Sequence, residues 1–361
     1  MKITRPPLPL LATLLVACWM VPEWMLDERI NSQYRTSFAA MMGGSADLPY
    51  VGRVLPRWLA YIFTSWVSEG FRSDLVREIA QKPSVLGGVL ARTGTPPALL
   101  PELLALLGVW LVAFAAFGRG LLGLAEALYE RDHPLLPWFP VLGLLSLQPL
   151  FGDDARYLYD PITLGLASLL WWALVRRRWL LYYGLFGVAL LNKETFVFFA
   201  MPVAVMLWAD RRDFVRHLGF HAVVFVTVRG SVARAYADHA GTMMEFHGAK
   251  HVEALLASPL SSLNFVGLLG IAWYLARPRF LRQGMWLVPP LLIAYWLGGS
   301  PGEWRVFYEV MPVVLVVLFQ SLLQFTSHPL KARAPGGVDT SEVADEVARS
   351  GPPTTTTAAD P

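Results

Sequence analysis

Leu99-Leu100-Pro101-Glu102-Leu103-Leu104-Ala105-Leu106-Leu107-Gly108-Val109-Trp110-Leu111-Val112-Ala113-Phe114-Ala115-Ala116-Phe117 carries one charge in nineteen residues. It is rich in good helix formers and long enough to cross a bilayer as a helix. Apolar runs of this kind recur along the chain. They lie at Leu8–Pro22, Leu99–Phe117, Leu135–Phe151, Ile162–Val175, Trp179–Leu191, Phe196–Ala209, Leu218–Val228, Leu263–Ala276, Met285–Leu297 and Val306–Leu323. Several fall short of the roughly 20 residues that span upright, so flanking polar residues must enter the membrane. The chain of 361 residues is 55% hydrophobic and only 16% charged, with mean hydropathy +0.45. A soluble domain carries about 25% charged residues. The pattern predicts an all-α fold: a polytopic transmembrane helical bundle of about ten spans.

Lys and Arg of the short loops orient such a bundle, because cytoplasmic loops are enriched in them. With the N-terminus inside, the inner set is Lys2, Arg5, Arg119, Arg131, Arg176, Arg177, Arg178, Arg211, Arg212, Arg216, Arg277, Arg279, Arg282, Lys331 and Arg333. The short outer loops hold Arg156, Lys193 and Arg305, so the count is fifteen against three. The expected location is the bacterial cytoplasmic membrane, with both termini cytoplasmic.

The expected organisation is a transmembrane helical domain over 1–327, with long outer loops at 23–98 and 229–262, and a disordered cytoplasmic tail over 328–361. The tail is Pro-, Thr- and Gly-rich with no apolar period. In the first outer loop, the aromatic stretch from Trp58 to Val67 predicts a helix lying in the membrane interface, an extra span being the alternative. Cys18 is the only cysteine, which excludes an internal disulfide and Cys-based metal sites. Leu15-Val16-Ala17-Cys18 resembles a lipoprotein processing box; a short first span is the competing reading. The arginines form short clusters instead of one basic face, and no nucleic-acid signature is present.

Ionisable groups at membrane depth are costly, and they gather at the outer ends of successive spans in three places. Gly152-Asp153-Asp154-Ala155-Arg156-Tyr157-Leu158-Tyr159-Asp160-Pro161 brings three carboxylates, a guanidinium and two phenols. Asn192-Lys193-Glu194-Thr195 sits between apolar flanks, so its ion pair is expected below the surface and satisfied by another helix. Gly302-Glu303-Trp304-Arg305-Val306-Phe307-Tyr308-Glu309 puts Arg305 and Glu309 four apart, on one helical face. Interfacial capping is the structural alternative, with Asp160 before Pro161 acting as an N-cap. His239, His247 and His251 in the second outer loop lack a His-Glu-x-x-His order and read as a solvated loop. His221, inside the seventh run, reads as a buried, hydrogen-bonded histidine.

Arg53-Val54-Leu55-Pro56 in the first outer loop, Tyr159-Asp160-Pro161, Asn192-Lys193-Glu194-Thr195 and the Arg305 loop together resemble bacterial polytopic proteins related to the C-type (GT-C) glycosyltransferase superfamily. The resemblance covers roughly residues 1–325. It implies a membrane glycosyltransferase moving a sugar from a polyprenyl-phosphate donor to a glycan or lipid acceptor on the extracytoplasmic side. Relatives carry Arg where this chain has Lys193, and its first loop lacks their paired acidic motif. On this reading Asp27 is the candidate catalytic base, with Asp153 and Asp154 as rivals. Arg53, Lys193 and Arg305 would hold the donor phosphate, with Arg156, Tyr157, Asp160, Glu194, Glu303 and Glu309 completing the substrate site. A divalent metal is a compatible cofactor that the residues do not name. The alternatives are a transporter or flippase for a lipid-linked or polar substrate, and a non-catalytic relative of the enzyme fold.

Overall fold

The computed structural model describes residues 8–25, 37–81, 85–130, 133–151, 157–241, 246–325 and 329–332. Every element among them is helical, apart from two isolated bridges at Leu48–Gly241 and Tyr129–Ala332. In chain order the helices are α1 (Leu8–Met25), α2 (Phe38–Gly43), α3 (Leu55–Thr64), α4 (Glu69–Gln81), α5 (Val85–Thr93), α6 (Leu100–Leu128), α7 (Phe139–Phe151) and α8 (Asp160–Val175). They continue as α9 (Trp179–Asn192), α10 (Ala200–Leu207), α11 (Arg211–Ala235), α12 (Gly248–Ala257), α13 (Pro259–Leu275), α14 (Arg279–Gly284), α15 (Val288–Gly298) and α16 (Met311–Gln324). Short 3-10 turns lead into α7, α10, α15 and α16.

All ten apolar runs are therefore helical. By length and composition, only the segment Pro97–Leu128 among the described residues is long and apolar enough to cross a membrane unaided. The others are shorter apolar helices or carry more charge; α11 holds six Arg, Asp and His residues before its apolar middle ends at Val228.

The central contact is α6 against α8, and small residues set its distance. A Cβ on Gly165 would lie 2.6 Å from the Ala113 carbonyl oxygen, and one on Gly120 would lie 2.5 Å from the Ser168 carbonyl carbon. Only glycine allows the two backbones this close. Ser168 fastens the crossing by donating its hydroxyl to Phe117 O at 2.8 Å. Around it pack buried aromatic rings, two of which donate to backbone carbonyls: Trp110 Nε1 to Leu158 O at 3.0 Å and Trp171 Nε1 to Glu309 O at 2.8 Å. These two bonds tie the core directly to the segments carrying Asp160 and Glu309.

Loops assigned to one side by the charge count meet one another. Tyr129 OH donates to Arg277 O at 2.9 Å, and Glu130 N donates to Lys331 O at 3.1 Å. At the opposite end, Leu48 N donates to Ala240 O at 2.8 Å, and His239 Nε2 to Gly44 O at 2.9 Å.

The second long loop is more ordered than the sequence predicts. It carries α12, and His251 is buried there, donating Nε2 to Gly299 O at 2.8 Å and Tyr295 O at 3.0 Å. The first long loop carries α3, which buries Leu55, Pro56, Ala60 and Thr64 and leaves Trp58, Tyr61, Ile62 and Phe63 exposed. The ten residues of α3 are too few to cross a bilayer as a helix. Cys18 is exposed in the middle of α1. His221 is buried and within 2.9 Å of Tyr182 OH. The tail beyond residue 332 lies outside the described residues.

Candidate functional site

Four chain segments bring their charged residues to one place because each stops being regular there. Arg53 follows a 3-10 turn at Tyr50–Gly52. Asp160 opens α8. Lys193 takes an extended conformation that ends α9. Arg305 sits in the 3-10 turn Trp304–Phe307. A bend at each position turns its side chain inward, and they meet on a cavity of about 570 Å³.

Arg53 forms a fork on Glu194, with Nη2 at 2.6 Å from Oε1 and Nε at 3.4 Å from Oε2. Its Nη1 also donates to Tyr159 OH. Arg229, near the end of α11, approaches Glu194 Oε2 at 3.8 Å and donates Nη1 to Gly52 O at 2.9 Å. It thereby anchors the backbone just before Arg53. Arg305 pairs with Glu303, lies 3.7 Å from Asp160 Oδ2, and donates to Tyr159 OH at 3.3 Å. Its guanidinium also stacks 3.4 Å from the centroid of the Tyr157 ring. Tyr50, Tyr157 and Tyr159 form a stacked column, with successive centroids 5.5 Å apart. Lys193 Nζ is 3.0 Å from Glu309 Oε1, which also accepts from the Thr195 hydroxyl.

Electrostatics follow from this packing. Burial alone would raise the Glu303 carboxyl, but Arg305 beside it and the Ser300 N–H outweigh that and hold it below the ordinary carboxylate value. Burial would lower the Arg53 guanidinium; Glu194 reverses the sign and holds it above its usual value. The cavity and the residues directly behind it carry five cations (Arg53, Lys193, Arg229, Lys250, Arg305) and four carboxylates (Asp160, Glu194, Glu303, Glu309), a net of one positive charge. Two lining residues keep buried polar atoms without a hydrogen-bond partner: Arg305 Nε, a donor, and Asp160 Oδ1, an acceptor. An unmet buried group costs about 1–3 kcal/mol.

Of the residues singled out by sequence, Arg53, Tyr157, Asp160, Lys193, Glu194, Glu303, Arg305 and Glu309 come together. Asp27, Asp153, Asp154 and Arg156 lie outside the described residues. Two local readings change. Asp160 is not an N-cap: Tyr159 holds that position, and Asp160 is the first helical residue, with Oδ2 accepting the Tyr157 N–H at 2.9 Å. Arg305 and Glu309 do not share a helical face, because a 3-10 turn holds Arg305 and α16 starts only at Met311, so each takes partners from other segments. Reading by sequence missed Tyr159 and Arg229. Tyr159 was visible within the same polar run, whereas Arg229 has no local partner to mark it. Among the described residues no group of three or more His, Cys, Asp or Glu is placed to hold a metal, and each carboxylate of the cavity already faces a cation. No known protein family, characterised protein or solved structure matches the chain.

Proposed function

We propose that this is a multi-span membrane glycosyltransferase that takes a sugar from a polyprenyl-phosphate donor on the side facing away from the cytoplasm. The observation that carries the reading is the convergence of Arg53, Asp160, Lys193, Glu194 and Arg305 on one cavity. Mutual pairing of buried charges explains part of this meeting, but it does not require that five of them line an open cavity with polar atoms left unmet. Transfer needs cations where the leaving phosphate gathers charge and acceptors that orient sugar hydroxyls. The unmet Arg305 donor and the unmet Asp160 acceptor suit a ligand bearing both an anion and hydroxyl groups. Binding would loosen the ion pairs that hold these cations in place beforehand. Asp27, Asp153 and Asp154 stay the proposed acids for activating the acceptor.

Membrane embedding is supported by large apolar side chains left bare on the outside: Leu180 is 92% exposed, Phe325 91%, Trp66 89% and Tyr274 86%. About ten helices, several extended by their 3-10 turns and completed by flanking residues that snorkel to the interface, make the bundle.

The test is transfer of labelled sugar from polyprenyl phosphates in proteoliposomes. Wild type is expected to transfer, Lys193→Ala to fall by about 100-fold, and at least one of Asp27→Asn and Asp153→Asn to fall as far. Transfer unchanged in all three variants would overturn the site.

A further inference from the structure

A second cleft, of about 930 Å³, lies at the opposite end of the same helical segments. The segment Glu194–Leu207 lines the first cavity with Val197 and Phe198, and the second with Val205 and Met206. Likewise Ala294 and Gly298 face the first, while Trp286, ahead of α15, faces the second. Along these segments the residues facing the two sites lie about 11–12 Å of helix rise apart.

The walls of this cleft differ from those of the first. Arg277, Arg279 and Arg282 line it with Gln283, and no carboxylate does. None of the three arginines has an ion-pair partner among the described residues, in contrast to Arg53, Arg229 and Arg305. Asp210, which follows the lining residue Ala209 in the chain, is occupied as the N-cap of α11, accepting the N–H groups of Arg212 and Asp213 at 3.1 Å. Val205 and Met206 form an apolar wall. Trp208, 74% exposed, and Trp286, 41% exposed, supply indoles of the kind that sit at headgroup level. A positive-inside bias explains basic loops, but not a concave site in which three unpaired guanidinium groups face an apolar wall flanked by indoles.

We infer that this cleft binds the phosphate headgroup of an anionic phospholipid of the cytoplasmic leaflet, the acyl chains running along Val205 and Met206. The inference rests on membrane embedding but not on sugar transfer. Arg is suited to the role because its fork meets two phosphate oxygens at once.

The experiment uses the full chain, purified in detergent, with phosphatidylglycerol, phosphatidylcholine and inorganic phosphate as probes, and binding read by native mass spectrometry. Wild type is expected to retain phosphatidylglycerol over phosphatidylcholine. Arg277→Gln/Arg279→Gln/Arg282→Gln should bind it roughly tenfold more weakly or worse, each single substitution giving part of that loss. Arg234→Gln, exposed at the other end of the bundle, should bind like wild type. The single variants keep the test valid if the triple variant fails to fold. Equal retention by all variants, or equal binding of both lipids, overturns the assignment. Displacement of the lipid by inorganic phosphate at equal concentration would also overturn it, showing a soluble-anion site. Sugar transfer read on the same preparations separates the two proposals, because lipid binding can fail while transfer persists, and the reverse.

Discussion

Replacing Arg305 by Ala is expected to lower stability by about 3–5 kcal/mol and to reduce sugar transfer by a factor of about 10²–10³. Arg305 is buried, and its guanidinium serves Glu303, Asp160, Tyr159 and the face of Tyr157 together. Truncation leaves Asp160, which is fully buried, with the Tyr157 N–H as its remaining close donor. A buried charge that loses its partner is far more damaging than the pair was stabilising. Arg305→Lys keeps the charge but loses the planar fork. It should recover most of the stability while transfer stays depressed by about tenfold. Thermal melts in detergent together with the transfer assay read both effects. A stability change under about 1 kcal/mol for Arg305→Ala would contradict the geometry around Asp160.

Lys193 and Glu309 make the second large prediction, because here structure and chemistry can be separated. Glu309 is fully buried and Lys193 nearly so, joined at 3.0 Å. Lys193→Met and Glu309→Leu should each destabilise by about 3–5 kcal/mol, since each strands the other charge. The double variant should return to within about 1–2 kcal/mol of wild type, because an apolar pair of similar volume replaces the ion pair without a stranded group. Transfer should not return, because the cavity has lost a cation. Additive melting losses in the double variant would mean that the two side chains are not coupled. Restored transfer would mean that Lys193 has only a structural part.

The helices were legible because apolar composition is a local property. Each of the ten runs reads as a helix from its own residues, and some loops that the charge count puts on one side, such as those of Tyr129 and Arg277, meet in the fold. Much of the site was legible for a related reason: Lys193-Glu194 between apolar flanks, and Arg305 among acids, are expensive at that depth unless partnered. What could not be read is who partners whom. Arg229 answers to Glu194, far upstream in the chain, and Tyr159 is shared by Arg53 and Arg305; such pairs depend on helix crossings that Gly165 and Gly120 permit. The spacing of Arg305 and Glu309 misled because Pro312, in the first turn of α16, accompanies a late helix start and leaves Arg305 in a tighter turn. The second cleft was invisible for the same reason as Arg229. Its arginines read as an ordinary inner loop, and its apolar wall comes from α10, more than seventy residues earlier.

In the proposed bundle the polar cavity opens away from the cytoplasm while the arginine cleft opens towards it. Thiol labelling in intact cells tests this directly, since Cys18 is the only native cysteine and Cys18→Ser supplies a silent background. Ser300→Cys reports on the cavity and Gln283→Cys on the cleft. With a membrane-impermeant maleimide, Ser300→Cys should label in intact spheroplasts and Gln283→Cys only after permeabilisation. Labelling of both from the same side, or the reverse order, would contradict the account.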